Sequence, residues 1–112
     1  ITPDGKKVVS GSSDKTLKIW HLETGKEIST LTCHTFWVAT VSIAPNGKTV
    51  ISGSYDNTLK LWNLETETLI STFTGDTSIV CCAISPDGLT VVAGEQSGRV
   101  HFLRLEGGLK NE

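Results

Sequence analysis

The 112-residue sequence contains no methionine. A complete translated chain begins with one, and this chain begins at Ile1. The expectation is a piece of something longer, or a processed product. Cysteine is scarce: Cys33, Cys81 and Cys82. An odd count with a vicinal pair does not make a disulfide framework, and no Cys-x-x-Cys pair exists to hold zinc. A reducing, cytoplasmic setting is expected. No apolar run nears the roughly 20 residues of a membrane helix, and no signal peptide is visible. An excess of positive charge is also missing. Ten Lys and Arg against twelve Asp and Glu leave a net charge of −2. Nucleic-acid binding usually shows as clustered basic residues, so it finds no support here. No segment carries a sustained helical period.

What the sequence does have is a repeat. Trp20 and Trp62 stand 42 residues apart, as do Asp14 and Asp56, Ser10 and Ser52, and Pro3 and Pro45. A third copy follows 41 later, from Pro45 to Pro86 and from Ser52 to Ala93. Each copy opens on a turn sequence, "TPDG", "APNG" or "SPDG". Proline presets φ there, Asp or Asn caps, and Gly takes the positive-φ position. β-Branched runs of strand length follow ("KKVVSGS", "KTVISGS", "LTVVAGE"), then a polar turn, then the period-two strands "TLKIW" and "TLKLW". "EISTLT" and "LISTFT" read as outer strands, and "FWVATVSI" and "SIVCCAI" as the strands leading to the next turn.

Each copy therefore predicts four short antiparallel strands. The pairs Val8–Val9, Val50–Ile51 and Val91–Val92 are consecutive apolar residues, which point to opposite faces of a sheet. Both faces of each sheet then need a partner, and neighbouring copies stacked face to face supply one. The fold class expected is all-β, a partial β-propeller of about three four-stranded blades. Blade one spans 1–34 and blade three 77–106, both incomplete, and blade two spans 35–76. Residues 107–112 are expected to be a C-terminal tail. This reading gives ten strands, arranged three, four, three. Copies joined end to end would lack two strands at every joint, so self-assembly into a ring is not expected. The two end faces are expected to be open unless remaining propeller blades of a parent chain cover them.

These residues carry a family resemblance. With "CH" at 33–34, the "SPDG"-type turns, "SGSxD" and the Trp ending the third strand, the chain resembles the WD40 repeat family over 1–106. His21 and Asn63 follow the two Trp residues where the family has Asp. The resemblance implies a buried hydrogen-bonded tetrad of His34, Ser52, Asp56 and Trp62 in the middle copy. Ser10, Asp14 and Trp20 are its counterparts in the first copy. The chemistry agrees. An indole N–H only donates, a hydroxyl bridges donor to acceptor, and a carboxylate accepts from imidazole and backbone amides. In the third copy Asp76, Ala93, Ser97 and Leu103 replace the four, and the expectation is that plain packing has taken the network's place.

Two catalytic readings compete and lose. His34, Asp56 and Ser52 could be taken as a hydrolase triad, but no strand–elbow–helix context surrounds Ser52. "NGKT" at 46–49 lacks the first Gly of a phosphate loop, because Ser42 stands there. No catalytic residue, metal ligand or cofactor is expected. His21 and His101 are read as surface or packing residues. Function, by resemblance, is that of a protein–protein interaction scaffold. Its partner-contact positions map to Phe36, Trp37, Ala39 and Tyr55, with Ser13, Ser78, Val80 and Gln96 at similar places. Trp and Tyr suit interface hot spots. The alternative is a C-terminal sensor or regulatory module of a larger signalling protein with a nucleotide-binding or kinase domain upstream. The near-identity of "SGSSDKTLKIW" and "SGSYDNTLKLW" suggests it.

Overall fold

A computed structural model of the chain describes residues 1–11, 14–32, 34–105 and 109–111. They form eleven β-strands in three antiparallel sheets. Sheet one holds β1 (Lys7–Gly11), β2 (Thr16–His21) and β3 (Glu27–Thr32). Sheet two holds β4 (Val38–Ile43), β5 (Thr49–Ser54), β6 (Thr58–Asn63) and β7 (Thr68–Thr74). Sheet three holds β8 (Ile79–Ile84), β9 (Thr90–Glu95), β10 (Val100–Leu105) and β11 (Leu109–Asn111). Within each sheet the strands lie side by side in chain order. The sheets are blades of a partial β-propeller.

The strand count corrects the expectation of ten. β11 pairs antiparallel with β10 through Leu103–Asn111, Arg104–Lys110 and Leu105–Leu109. Sheet three thus has a fourth strand inside the stretch read as a tail. Only sheet one has three strands among the described residues.

The turns follow their residues. Gly5, Gly47 and Gly88 have φ of 73°, 71° and 73°, the left-handed region that a side chain resists. Beside them Asp4, Asn46 and Asp87 each accept an amide two residues on. In sheets two and three these local bonds reverse the chain between the first and second strands, and in sheet one the same turn leads into β1.

The two faces of sheet two feed two cores. Val50, Trp62 and Leu64 pack with Val38 against Leu17 and Ile19 of sheet one. Ile51, Leu59 and Leu61 point the other way and pack with Ile79, Val91, Ala93 and Leu103 of sheet three. Adjacent residues in β5 thus serve opposite junctions, as period-two geometry requires.

Glycine sets how closely the sheets approach. A Cβ on Gly11 would fall 2.6 Å from Val38 Cγ1, and one on Gly53 would fall 2.6 Å from Ile79 Cγ2. In each case the first residue of one blade's inner strand rests on the bare backbone of the preceding blade. Gly53→Ala forces that strand outward. We expect a loss of roughly 1–3 kcal/mol, the range for overpacking a filled core. Urea unfolding checks it, and an unchanged midpoint contradicts the close-approach role.

Candidate functional site

The connector between β3 and β4 is held against the turn between β5 and β6. His34 leaves β3 and turns its ring inward, where it is buried. Its Nδ1 lies 2.8 Å from Asp56 Oδ2 and its Nε2 lies 2.8 Å from Ser52 Oγ. Trp62 Nε1 donates to the same Ser52 Oγ at 3.1 Å. Asp56 also accepts the backbone amide of Thr35 at 3.0 Å and that of Thr58 at 2.9 Å, and the Thr58 hydroxyl as well. The sequence-predicted tetrad is therefore one hydrogen-bonded chain in sheet two.

Burial holds the His34 pKa below its ordinary 6.5, outweighing the raising effect of Asp56. Burial pushes the Asp56 carboxyl upward, but bonds from Thr58, Thr35 and His34 together hold it below 3.8. A neutral ring beside an ionised carboxylate leaves one consistent set of roles. Nδ1–H donates to Asp56, the Ser52 hydroxyl donates to Nε2, and the indole N–H donates to Ser52 Oγ. Every polar atom in the chain is satisfied, which makes such a network rigid.

Sheet one has part of this. Trp20 Nε1 donates to Ser10 Oγ at 2.9 Å, and Asp14 accepts the Thr16 amide at 3.1 Å.

Sheet three corrects the expectation of plain packing. Ala93 and Leu103 are indeed buried apolar replacements. Yet Glu95, which holds the place of Ser54, reaches the connector between β7 and β8. Its Oε1 accepts the amides of Asp76 at 3.0 Å and Thr77 at 2.6 Å, and the Thr77 hydroxyl at 3.0 Å. Its Oε2 pairs with His101 Nε2. Thr35 and Asp76 are equivalent positions, so two different carboxylates clip equivalent backbone. The bond from His101, then that from the Thr77 amide, lower the Glu95 carboxyl to about 2 from 4.5. His101 packs edge-on against Phe73 of sheet two, with ring centroids 4.8 Å apart. The expectation that Asp76 replaces His34 is corrected. Gly75 holds that place, its amide donating to Asn57 O as that of His34 donates to Lys15 O, while Asp76 pairs with Arg99 at the surface. Sequence reading missed the clip. Period-two alternation from the buried Val91 and Ala93 puts Glu95 on the inward face, and an inward charge demands a partner.

The clipped connector carries the exposed aromatics. Phe36 is 49% exposed, Trp37 51% and Tyr55 39%. Their rings meet one another, with centroids 5.6 Å apart for Phe36–Trp37, 6.0 Å for Trp37–Tyr55 and 6.5 Å for Phe36–Tyr55. The Tyr55 amide donates to Trp37 O at 3.0 Å, and Ser54 Oγ donates to the same oxygen at 2.7 Å. In sheet three the Gln96 amide donates to Ser78 O at 2.8 Å. The backbone arrangement repeats, but with Ser and Gln in place of Trp and Tyr. Ser78 Oγ donates to Tyr55 O at 3.3 Å, which makes the two rims continuous. Ala39 and Val80 sit at β-bulges, where the inner-strand register slips by one residue. A bulge re-aims the side chain it carries, and Ala39 is exposed while Val80 is half-buried. Ser13 and Cys33 lie outside the described residues.

A family model for the WD domain, G-beta repeat, matches residues 1–21, 25–63 and 67–102. The chain belongs to the WD40 family. WD40 repeats serve as protein-interaction scaffolds. No curated protein matches the chain.

Within this WD40 blade the triad-like order Asp56–His34–Ser52 is real, but Ser52 has no exposed surface and its oxygen already accepts from Trp62. It cannot meet a substrate. The arrangement ties strands together instead.

Two outcomes test the WD40 network. Ser52→Ala strands both His34 Nε2 and the Trp62 indole, and should cost roughly 1–3 kcal/mol in urea unfolding. Ser10→Ala, beside the half-buried Trp20, should cost less; equal losses would contradict the burial argument. The second outcome concerns pH. His34, Asp56 and Glu95 all have folded pKa values below their ordinary ones. The unfolded chain therefore takes up protons first on acidification, and acid destabilises. The His34 contribution is complete above 6.5 and is lost as pH falls from there toward its folded value. The Glu95 contribution is complete above 4.5 and is lost between 4.5 and about 2. Thermal melts across this range should show a two-stage fall. A melting temperature constant from neutral pH to about 5 contradicts the neutral His34.

Proposed function

We propose that this chain is a protein-interaction scaffold whose contact surface is the rim of sheet two. Phe36, Trp37 and Tyr55 form its centre, and Ala39, Ser78, Val80 and Gln96 extend it toward sheet three. The observation that carries this reading is the mutual packing of three large, half-exposed aromatics on one clipped connector and its facing turn. Rings fixed in this way lose little freedom on binding, and Trp and Tyr dominate interface energetics when a partner covers them. Ala39, Ser78, Val80 and Gln96, which extend the rim, carry no charge, so an apolar or uncharged polar partner surface fits best. Protein partners are the class implied. Free thiols at Cys81 and Cys82 suit a reducing compartment, and the cytoplasm is the proposed location.

The test is a comparison of protein capture by the wild-type chain and by Trp37→Ala and Tyr55→Ala. Each ring stands clear of the core, so melting temperatures should match the wild type. A partner anchored here should bind about thirtyfold more weakly or worse, the loss that marks a hot spot. Equal affinity with equal stability overturns the assignment.

A further inference from the structure

The rim of sheet two is lopsided in its hydrogen bonding. The carbonyls of its ring-bearing residues already accept donors of the chain's own. Phe36 O and Trp37 O accept Ser54 Oγ at 3.3 and 2.7 Å, and Trp37 O also accepts the Tyr55 amide at 3.0 Å. Tyr55 O accepts Ser78 Oγ at 3.3 Å. Asp56, the carboxylate next to Tyr55, is buried and serves the His34 network. Donors are what remain. Among the described residues neither the Trp37 indole N–H nor the Tyr55 hydroxyl has a hydrogen-bond partner, and both side chains are exposed. The other two indoles differ, since Trp20 and Trp62 each donate to a serine.

A ligand that suits this surface covers three aromatic rings and brings acceptors without donors. An ordinary extended peptide brings both. Each of its N–H groups pressed against the rings meets carbonyls already in use, and a buried N–H without an acceptor is costly. Proline carries a carbonyl and no N–H. Its ring is apolar, and runs of it hold the polyproline II helix before binding, so little freedom is lost. The planes of Trp37 and Tyr55 cross at 75° with centroids 6.0 Å apart, a corner of two apolar walls with a donor on each. We propose, resting on the rim reading above, that the ligand of Phe36, Trp37 and Tyr55 is a proline-rich segment in the polyproline II conformation. Its pyrrolidine rings pack on Trp37 and Tyr55, and its carbonyl oxygens accept the indole N–H and the phenol O–H. A cationic ligand fits worse. Centroids 5.6, 6.0 and 6.5 Å apart mean that the rings touch one another rather than enclose a space, and the Asp56 carboxylate is buried.

Titration of the nitrogen-15-labelled chain with a blocked polyproline peptide, followed by NMR, tests this. The Trp37 indole signal should shift and saturate as it gains an acceptor, while those of Trp20 and Trp62 stay in place. A glycine–serine peptide of the same length should move none of them. Tyr55→Phe removes the hydroxyl and keeps the ring, and should weaken binding roughly threefold to tenfold, the loss of one neutral hydrogen bond. Trp37→Ala should abolish binding, read at the Tyr55 amide. Both variants should melt as the wild type does. A Trp37 signal that polyproline leaves unmoved overturns the proposal, as does full affinity in Tyr55→Phe. So does a trimethyllysine peptide that shifts Trp37 where polyproline does not. If polyproline fails while Trp37→Ala still weakens a protein partner, the rim reading stands and only the proline assignment falls. If Trp37→Ala leaves the protein partner bound as well, both fall.

Discussion

A buried carboxylate bonded to connector amides is the interaction on which the rest depends. Asp56 takes the Thr35 amide, and Glu95 takes those of Asp76 and Thr77. Each connector is the passage from the outer strand of one blade to the inner strand of the next. Once it is clipped, Val38 and Ile79 are delivered onto the bare backbone at Gly11 and Gly53. Close stacking, two filled cores and the fixed rim of aromatics all lie downstream of that delivery. The cost of burying a carboxylate is offset because each oxygen has donors in place.

The two clips reach the same end from different strand positions. Asp56 sits in the turn and relies on His34, Ser52 and Trp62 behind it. Glu95 sits at the end of β9, at the place of Ser54, and its longer side chain spans the difference. His101, across the sheet on β10, stands in for the missing imidazole. The replacement of Trp62 by Leu103 and of Ser52 by Ala93 is then intelligible. With the Glu95 carboxylate satisfied by Asp76, Thr77 and His101, positions 93 and 103 need no donor or acceptor, and both are fully buried apolar residues.

Much of the fold was legible in the sequence, because it is written in residues with strong local preferences. Pro-Asp-Gly turns, β-branched pairs and Trp at a fixed period locate the strands and assign both faces of sheet two. The middle tetrad was legible through the family resemblance, which carries its roles onto His34, Ser52, Asp56 and Trp62. Glu95 was not, since it holds a position that Ser occupies in the other copies, and its importance comes from length and burial. β11 was missed for another reason. "LKN" is too short to signal a strand, and pairing with β10 makes it one. The aromatic rim was legible as residue types, while the mutual contact of Phe36, Trp37 and Tyr55 comes from the clip that folds the connector over the turn.

The most direct test of the clip is amide hydrogen exchange at Thr35, Asp76 and Thr77 in the native chain. These amides lie in connectors rather than strands, and loop amides ordinarily exchange fast. If the carboxylates hold them, all three exchange as slowly as amides of the strands they join, and Glu95→Gln speeds the Asp76 and Thr77 amides while leaving Thr35 slow. Fast exchange at these positions in the unaltered chain would contradict the account, because the connectors would then be following the blades rather than placing them.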